Sequence, residues 1–249
     1  MKTTIEPRDR TDEWIARVVP GKSFMDIGGI GHRATNERVT FAHRVGARSC
    51  AMADIMPTTY FEWDLFRQKC ALLGLPAFRE VGDLDIRSRE SLTRLGQVDV
   101  VYSTGILYHL ASPPDALWAL RAIVGEHLIT NTITFPGKVT NEFGTVALPD
   151  CGVVFLPAMT EAERRVIGKH YQDRFGAHPG WKDIDHMSPR PDHREAPQYV
   201  EDGELSCGPN WFFYSDNAFR ALLRVCRFEI LDEYKWRDHT LQLLCRPVP

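Results

Sequence analysis

Gly28, Gly29 and Gly31 follow an apolar run at 22–27 and offer a backbone with no side chain to obstruct a ligand. Lacking Cβ atoms, they let the chain turn sharply and come close to a bound group. A helix after them would present free N–H groups to an anion such as an amino-acid carboxylate. Asp54 ends a second apolar run at 49–53 and is placed to accept hydrogen bonds from both hydroxyls of a ribose, with Ile55 beside it. Asp83, followed by Leu84, closes a third run and suits an adenine amino group. Taken one at a time, the glycines are equally a tight turn and the acids solvated strand ends; their joint spacing favours a nucleoside-bearing ligand.

A fourth run at 98–103 leads into Tyr108 and His109. His109 is the first candidate for a general base or a group that orients a substrate, with Tyr108 next to it. The alternative is that His109 only caps or packs beside the next helix. Trp63, Tyr108, Trp181, Trp211, Phe212 and Tyr214 are expected at the same end of the strands, where flat apolar walls would suit a planar aromatic or heterocyclic ligand. Of these, Tyr108, Trp181, Trp211 and Tyr214 are the candidate substrate contacts, and Phe213 is expected to be buried. Asp183, Asp185, His186, Asp192 and His193 have the chemistry of metal ligands, but in a Pro-rich stretch the surface reading prevails and no metal is expected.

The elements that must position these residues alternate. Strands at 22–27, 49–53, 78–81, 98–103 and 127–134 are separated by helical patterns at 36–45, 61–73 and 88–95 and by a helix from 112 to 125. The last of these opens on Ser112, Pro113 and Asp115, an N-cap serine, a proline and a first-turn acid, and stops at Gly125. Alternation of this kind predicts a parallel sheet covered on both faces, with ligands outside the carboxyl ends of the strands. The rhythm fails between 135 and 210, where Pro, Gly, His and Asp abound and one helix is expected at 160–175. This segment reads as an inserted cap for binding substrate, within a single domain spanning 1–249. A helix at 216–226 and a terminal hairpin at 228–234 and 240–244 complete the chain.

Bulk properties narrow the function classes. With 30 Lys+Arg against 33 Asp+Glu, the net charge of −3 gives no field that would gather nucleic acid or an anionic membrane. The six cysteines lie far apart with no C-x-x-C pair, which fits reduced thiols in a cytoplasm. No apolar run approaches the ~20 residues of a membrane helix. A monomer or homodimer is expected.

Phe24-Met25-Asp26-Ile27-Gly28-Gly29 resembles the first motif of class I S-adenosylmethionine-dependent methyltransferases, Ala53-Asp54 the second, Gly82-Asp83-Leu84 the third and the run at 98–103 the fourth. The resemblance covers most of the chain. It departs where Ile30 and His32 stand in the second and third glycine places of the first motif. It implies a Rossmann-like α/β fold, a seven-stranded mostly parallel sheet with an antiparallel C-terminal hairpin. It also implies S-adenosylmethionine as cofactor and S-adenosylhomocysteine (SAH) as product, held by Asp26, Gly28, Gly29, Gly31, Asp54, Ile55, Asp83, Leu84, Ser103, Thr104 and Gly105. Two further segments, 103–110 and 210–215, are similar to the tRNA wobble-uridine carboxymethyltransferases and their small-molecule relatives.

Methyl transfer asks the protein chiefly to hold a nucleophile roughly 3 to 3.5 Å from the methyl carbon, in line. The expectation is therefore an N- or O-methyltransferase acting on a small aromatic or heterocyclic metabolite, of the kind made in secondary-metabolite biosynthesis. The alternatives are transfer of a methyl or carboxymethyl group to tRNA uridine, which the charge disfavours, and a NAD-binding oxidoreductase, since a glycine-rich turn and an acid after strand two also describe that site. A binding module that has lost its cofactor is a third.

Overall fold

The computed structural model describes residues 7–31, 36–175, 200, 201, 204, 205 and 210–249. Asp9 caps the first helix, α1 (Arg10–Val18), by accepting the Asp12 N–H at 3.0 Å, and Trp14, Ile15 and Val18 form its buried stripe. The chain then alternates: β1 (Ser23–Ile27), α2 (Val39–Arg44), β2 (Ser49–Ala53), α3 (Phe61–Leu72), β3 (Arg79–Val81), α4 (Arg89–Thr93), β4 (Val98–Ser103), α5 (Pro113–Ile123) and β5 (Val124–Ile133). Strands β1 and β4 are buried along nearly their whole length because helices cover both faces of the sheet.

Seven strands form one sheet in the order β12-β13-β5-β4-β1-β2-β3. Neighbouring strands from β3 to β5 pair in parallel, whereas β13 (Thr240–Pro247) runs antiparallel to both β5 and β12 (Phe228–Trp236). From β1 the chain steps outward to β2 and β3, then returns across β1 to β4. The order reverses between β1 and β4, and connections leaving those two strands in opposite directions open a crevice at their carboxyl ends.

Successive residues feed opposite layers. Leu128 and Leu243 join the layer with Leu117 and Leu120 of α5; Ile129 and Leu244 join Trp14 and Ile15 of α1. Trp63 belongs to this second layer as well. It is fully buried, and its indole N–H donates to the Met56 carbonyl at 3.3 Å, so it is core rather than a wall of the strand-end surface.

Between β5 and α7 (Asp216–Val225) the chain builds the inserted cap: a hairpin of β6 (Lys138–Asn141) and β7 (Gly144–Ala147), a ribbon pairing β8 (Val153–Phe155) with β11 (Phe212–Tyr214), a short pair β9 (Val200–Glu201) and β10 (Glu204–Leu205), and α6 (Glu161–Phe175). The sequence foretold the helix alone. Thr160 starts α6 with a capping box: its backbone N–H donates to Glu163 Oε2 at 2.8 Å, and the Glu163 N–H returns to Thr160 Oγ1 at 3.3 Å. Val139, Val166, Ile167, Tyr171 and Phe213 give the cap a cluster of its own on Ile133 and Phe135.

Two boundaries differ from expectation. Ser112 accepts no backbone N–H; its hydroxyl donates to the Asp115 carboxylate. Gly125 does not end α5 but lies inside β5, where a Cβ would sit 3.3 Å from the Val98 carbonyl oxygen, so the strand pairing rather than the helix stop requires a small residue. No described helix is long and apolar enough to cross a membrane.

Candidate functional site

The crevice between β1 and β4 is bounded by two glycines with left-handed backbone, Gly28 (φ 87°) and Gly105 (φ 76°), each just past a strand end. Only glycine adopts this conformation without steric cost. At Gly28 a Cβ would stand 2.4 Å from Ile106 Cδ1, so the turns after the two strands touch there. At Gly29 a Cβ would fall 2.7 Å from the Asp26 carboxylate oxygens, leaving bare backbone over that acid. Gly31 differs: its φ is ordinary and nothing lies near its absent Cβ, so no steric demand explains it. Ile30, in a place where the resembling motif has glycine, is fully buried in the α1 layer and anchors the turn instead.

Asp26 stands opposite Tyr102 on β4 and Met52 on β2 and is fully buried. Its Oδ2 accepts the Arg38 N–H at 2.6 Å, while Oδ1 has no hydrogen-bond partner. Burial, with Glu37 and Asp54 nearby, pushes its carboxyl up to about 8 against the pull of that N–H. Glu37 in turn accepts the Thr40 N–H at 2.9 Å. The Arg38 and Thr40 N–H groups at the start of α2 are thus bound by the chain's own carboxylates.

Arg38 ties this wall to α1. Its guanidinium lies 3.0 Å from Asp9 Oδ2 and 2.9 Å from Asp12 Oδ1, and 5.8 Å from the centre of the Tyr102 ring. Asp12 is fully buried and also takes Arg8 Nε at 2.9 Å. None of these four residues stood out in the sequence; only their separation in the chain conceals the cluster.

Asp54, at the tip of β2, is 5% exposed. Its Oδ1 accepts the Met56 N–H at 3.1 Å, and the Ile30 and Ile55 N–H groups also support its charge. Burial nevertheless lifts it to about 6, which leaves it mainly ionised at neutral pH. Ile55 next to it is 53% exposed, an apolar surface at the strand end. Asp83 is exposed with φ 56°, after Gly82, where a Cβ would collide with the Thr58 backbone nitrogen at 2.6 Å. Leu84 turns away: its side chain is buried in the α5 layer and its N–H donates to the Asp54 carbonyl at 2.9 Å. Its contribution is to hold the turn.

Beyond β4, Ser103 is fully buried with no partner for its hydroxyl, and Thr104 bonds the Tyr102 hydroxyl. The Gly105 N–H donates to Asn131 Oδ1 at 2.7 Å. Asn131 escaped the sequence reading; the one signal for it is an amide between Thr130 and Thr132 near the carboxyl end of β5. Tyr108 and His109 sit on a short 3-10 turn (Leu107–His109), half-buried, with ring centres 4.3 Å apart. The Tyr108 hydroxyl is 3.6 Å from where a Gly105 Cβ would be, so it reaches back to the β4 tip. The Trp211 N–H donates to the Tyr108 carbonyl at 2.7 Å, which brings the cap ribbon to this turn. There Trp211 stacks on the exposed Phe155, centres 6.4 Å apart and planes 23° apart.

Tyr214 is buried against Phe219 and Phe212, and burial pushes its hydroxyl well above the usual range, so its ring is core. Phe213 is fully buried. Trp181 lies outside the described residues, as do His32 and the acids and histidines between 183 and 193. Among the described residues no group of His, Cys, Asp and Glu is arranged to hold a metal.

No protein-family model matches the chain, and no curated protein does. Solved structures do. Magnesium protoporphyrin IX methyltransferase from Synechocystis PCC 6803 with bound SAH aligns over 96% of this chain and 80% of its own, at 12% identity and TM-score 0.52. A putative S-adenosylmethionine-dependent methyltransferase from Listeria monocytogenes aligns over 97% and 100%, at 12% and 0.53. The N-terminal domain of EvdMO1 with SAH bound aligns over 97% and 81%, at 12% and 0.54. Identity this low speaks for architecture, and the architecture is plain: this chain has the Rossmann-like α/β fold of these S-adenosylmethionine-dependent methyltransferases.

Proposed function

We propose that this protein is an S-adenosylmethionine-dependent methyltransferase whose acceptor is a small aromatic or heterocyclic metabolite, as in secondary-metabolite biosynthesis. The observation that carries the reading is Asp54. A carboxylate is held at the tip of β2 by N–H groups from the glycine turn and its own turn, beside the exposed Ile55 and one strand away from the crevice. The cofactor supplies a methyl group on a sulfonium.

The residues present fit such a group. Gly28 and Gly29 leave bare backbone over Asp26, whose Oδ1 awaits a donor. Asp54 takes the ribose hydroxyls, Ile55 packs an adenine face and Asp83 reaches its amino group. Ser103, Thr104 and Gly105 line the β4 side, with Gly31 nearby on the β1 side. Tyr108 and His109 stand where the acceptor meets the crevice, His109 taking the proton from a phenol, enol or ring N–H. Trp211, with Phe155 stacked on it, gives the acceptor a flat wall, and the cap segment 135–210 encloses it. The Synechocystis structure is named for magnesium protoporphyrin IX, itself an acceptor of modest size.

Calorimetric titration with SAH tests the cofactor half. The parent protein should bind SAH and not NAD, and Asp54→Ala should weaken SAH binding by about tenfold or more, the loss of hydrogen bonds to a charged group. Unchanged affinity in that variant would remove Asp54 from the ribose role, and binding of NAD alone would replace the whole reading. In the presence of an accepted substrate, His109→Ala that methylates as fast as the parent would clear His109 of proton transfer.

A further inference from the structure

The last turns of α6 bring His170, Tyr171 and Arg174 down onto the carboxyl end of β5. The fully buried Tyr171 donates its hydroxyl to the Thr134 carbonyl at 2.8 Å, and the His170 ring stands edge-on to it, centres 5.0 Å apart. Arg174 NH1 lies 3.0 Å from His170 Nδ1. A guanidinium only donates, so Nδ1 accepts and the neutral ring carries its proton on Nε2. Among the described residues that Nε2 has no hydrogen-bond partner, although His170 is 8% exposed. A buried donor without an acceptor marks a place that a ligand or water completes.

The opposite side of the seam is the β12–β13 turn. His239 is fully buried there, its Nδ1 2.8 Å from Thr240 Oγ1. Arg174, Arg237 and Lys235 all add positive potential at its ring. The acids nearby are committed: Asp216 pairs with Lys235, and Asp173, which acts on His170, pairs with Lys169. Among the described residues Arg174 faces His170 rather than a carboxylate. The seam thus combines an unspent N–H with a positive field.

Its position is suggestive of one ligand. Thr240 pairs with Ile133, and β5 lies next to β4, so the seam is two strand spacings, about 10 Å, along the rim from the β4 tip. We infer that this seam is a subsite for an anionic group, a carboxylate or a phosphate, on the far end of the methyl acceptor. The identity of the ligand as acceptor rests on the methyltransferase reading; the binding of an anion does not.

The test uses the full chain and two probes, benzoate and inorganic phosphate, each titrated at constant ionic strength against sodium chloride. The readout is the ring signal of His170 in a carbon–proton correlation spectrum, assigned by its loss in His170→Gln. Either probe should shift that signal to saturation, and Arg174→Gln should weaken the effect by about tenfold or more. Saturation by benzoate alone assigns a carboxylate, by phosphate alone a phosphate ester. No shift with either probe, or an equal shift in Arg174→Gln, overturns the subsite. Calorimetry with SAH is run alongside. SAH that fails to bind the parent strikes the methyltransferase reading and leaves the anion result standing, whereas normal SAH binding with a silent His170 sinks the subsite alone.

Discussion

At Asp26, burial outweighs the one N–H that supports its charge, and Glu37 and Asp54 add to the same side. An acid whose folded value lies above its unfolded one keeps its proton longer in the native chain. Its stabilising contribution is full below the unfolded value of 3.8 and is lost as pH rises through about 8. Asp26→Asn keeps an oxygen for the Arg38 N–H and removes the charge. The variant should match the parent at pH 4 and exceed it at pH 8 by on the order of 1 kcal/mol or more, read from urea midpoints. A variant less stable than the parent at pH 8 would mean that Asp26 is ionised and stabilising. At this scale the sequence was informative where a residue type has one physical use: Gly28 and Gly29 are bare where a Cβ would collide. At Gly31 no described atom lies within 4 Å of an added Cβ, and Leu84, an apolar residue after an acid, turns its side chain into the core. Arg38 and Asn131 were illegible because their partners, Asp12 and Gly105, are 26 residues away in each case and only the fold joins them.

Among elements, α6 is one whose attachment depends on pH. Burial, reinforced by Arg174, lowers His170 to about 4, and burial with Arg174, Arg237, Lys235 and His170 lowers His239 equally. Both rings are neutral in the native chain, whereas in the unfolded chain they take a proton near 6.5. Their contribution is therefore present above 6.5 and lost as pH falls towards 4. Amide exchange in α6, corrected for intrinsic rate, should speed up between pH 7 and pH 4.5 while exchange in β1 and β4 holds. Equal protection of α6 at both values would show that the histidines are not buried neutral against the sheet. The central sheet strands were legible because they are mostly buried runs between turn residues, and 49–53 and 98–103 coincide with β2 and β4. The cap strands were not. Each has two to four residues, and in β6, β7 and β8 most are exposed, too short for an alternation to register.

Across the whole molecule, the sheet and the cap are stabilised by different clusters that meet at the carboxyl end of β5, at β11 and at the Tyr108 turn. Ile129 and Leu244 face the α1 layer, Leu128 and Leu243 the α5 layer, and these strands hold both layers at once. The cap has Val139, Val166, Ile167 and Tyr171, joined to the sheet through Ile133, Phe135 and Phe213. The strand reversal between β1 and β4 puts the crevice in the sheet, while the cap residues gather in a cluster of their own. Truncating the fully buried Leu244 should cost about 2 to 5 kcal/mol of global stability, because the layer on that face cannot collapse around the hole. Truncating the equally buried Ile167 removes similar volume from the cap alone. Ile167→Ala should therefore expose α6 and the β6–β7 hairpin to exchange, with the main unfolding transition displaced by less than in Leu244→Ala and with SAH affinity retained. If the two variants lowered one shared transition by the same amount, cap and sheet would be a single cooperative unit, and the cover over the crevice could not open without unfolding the strands beneath it.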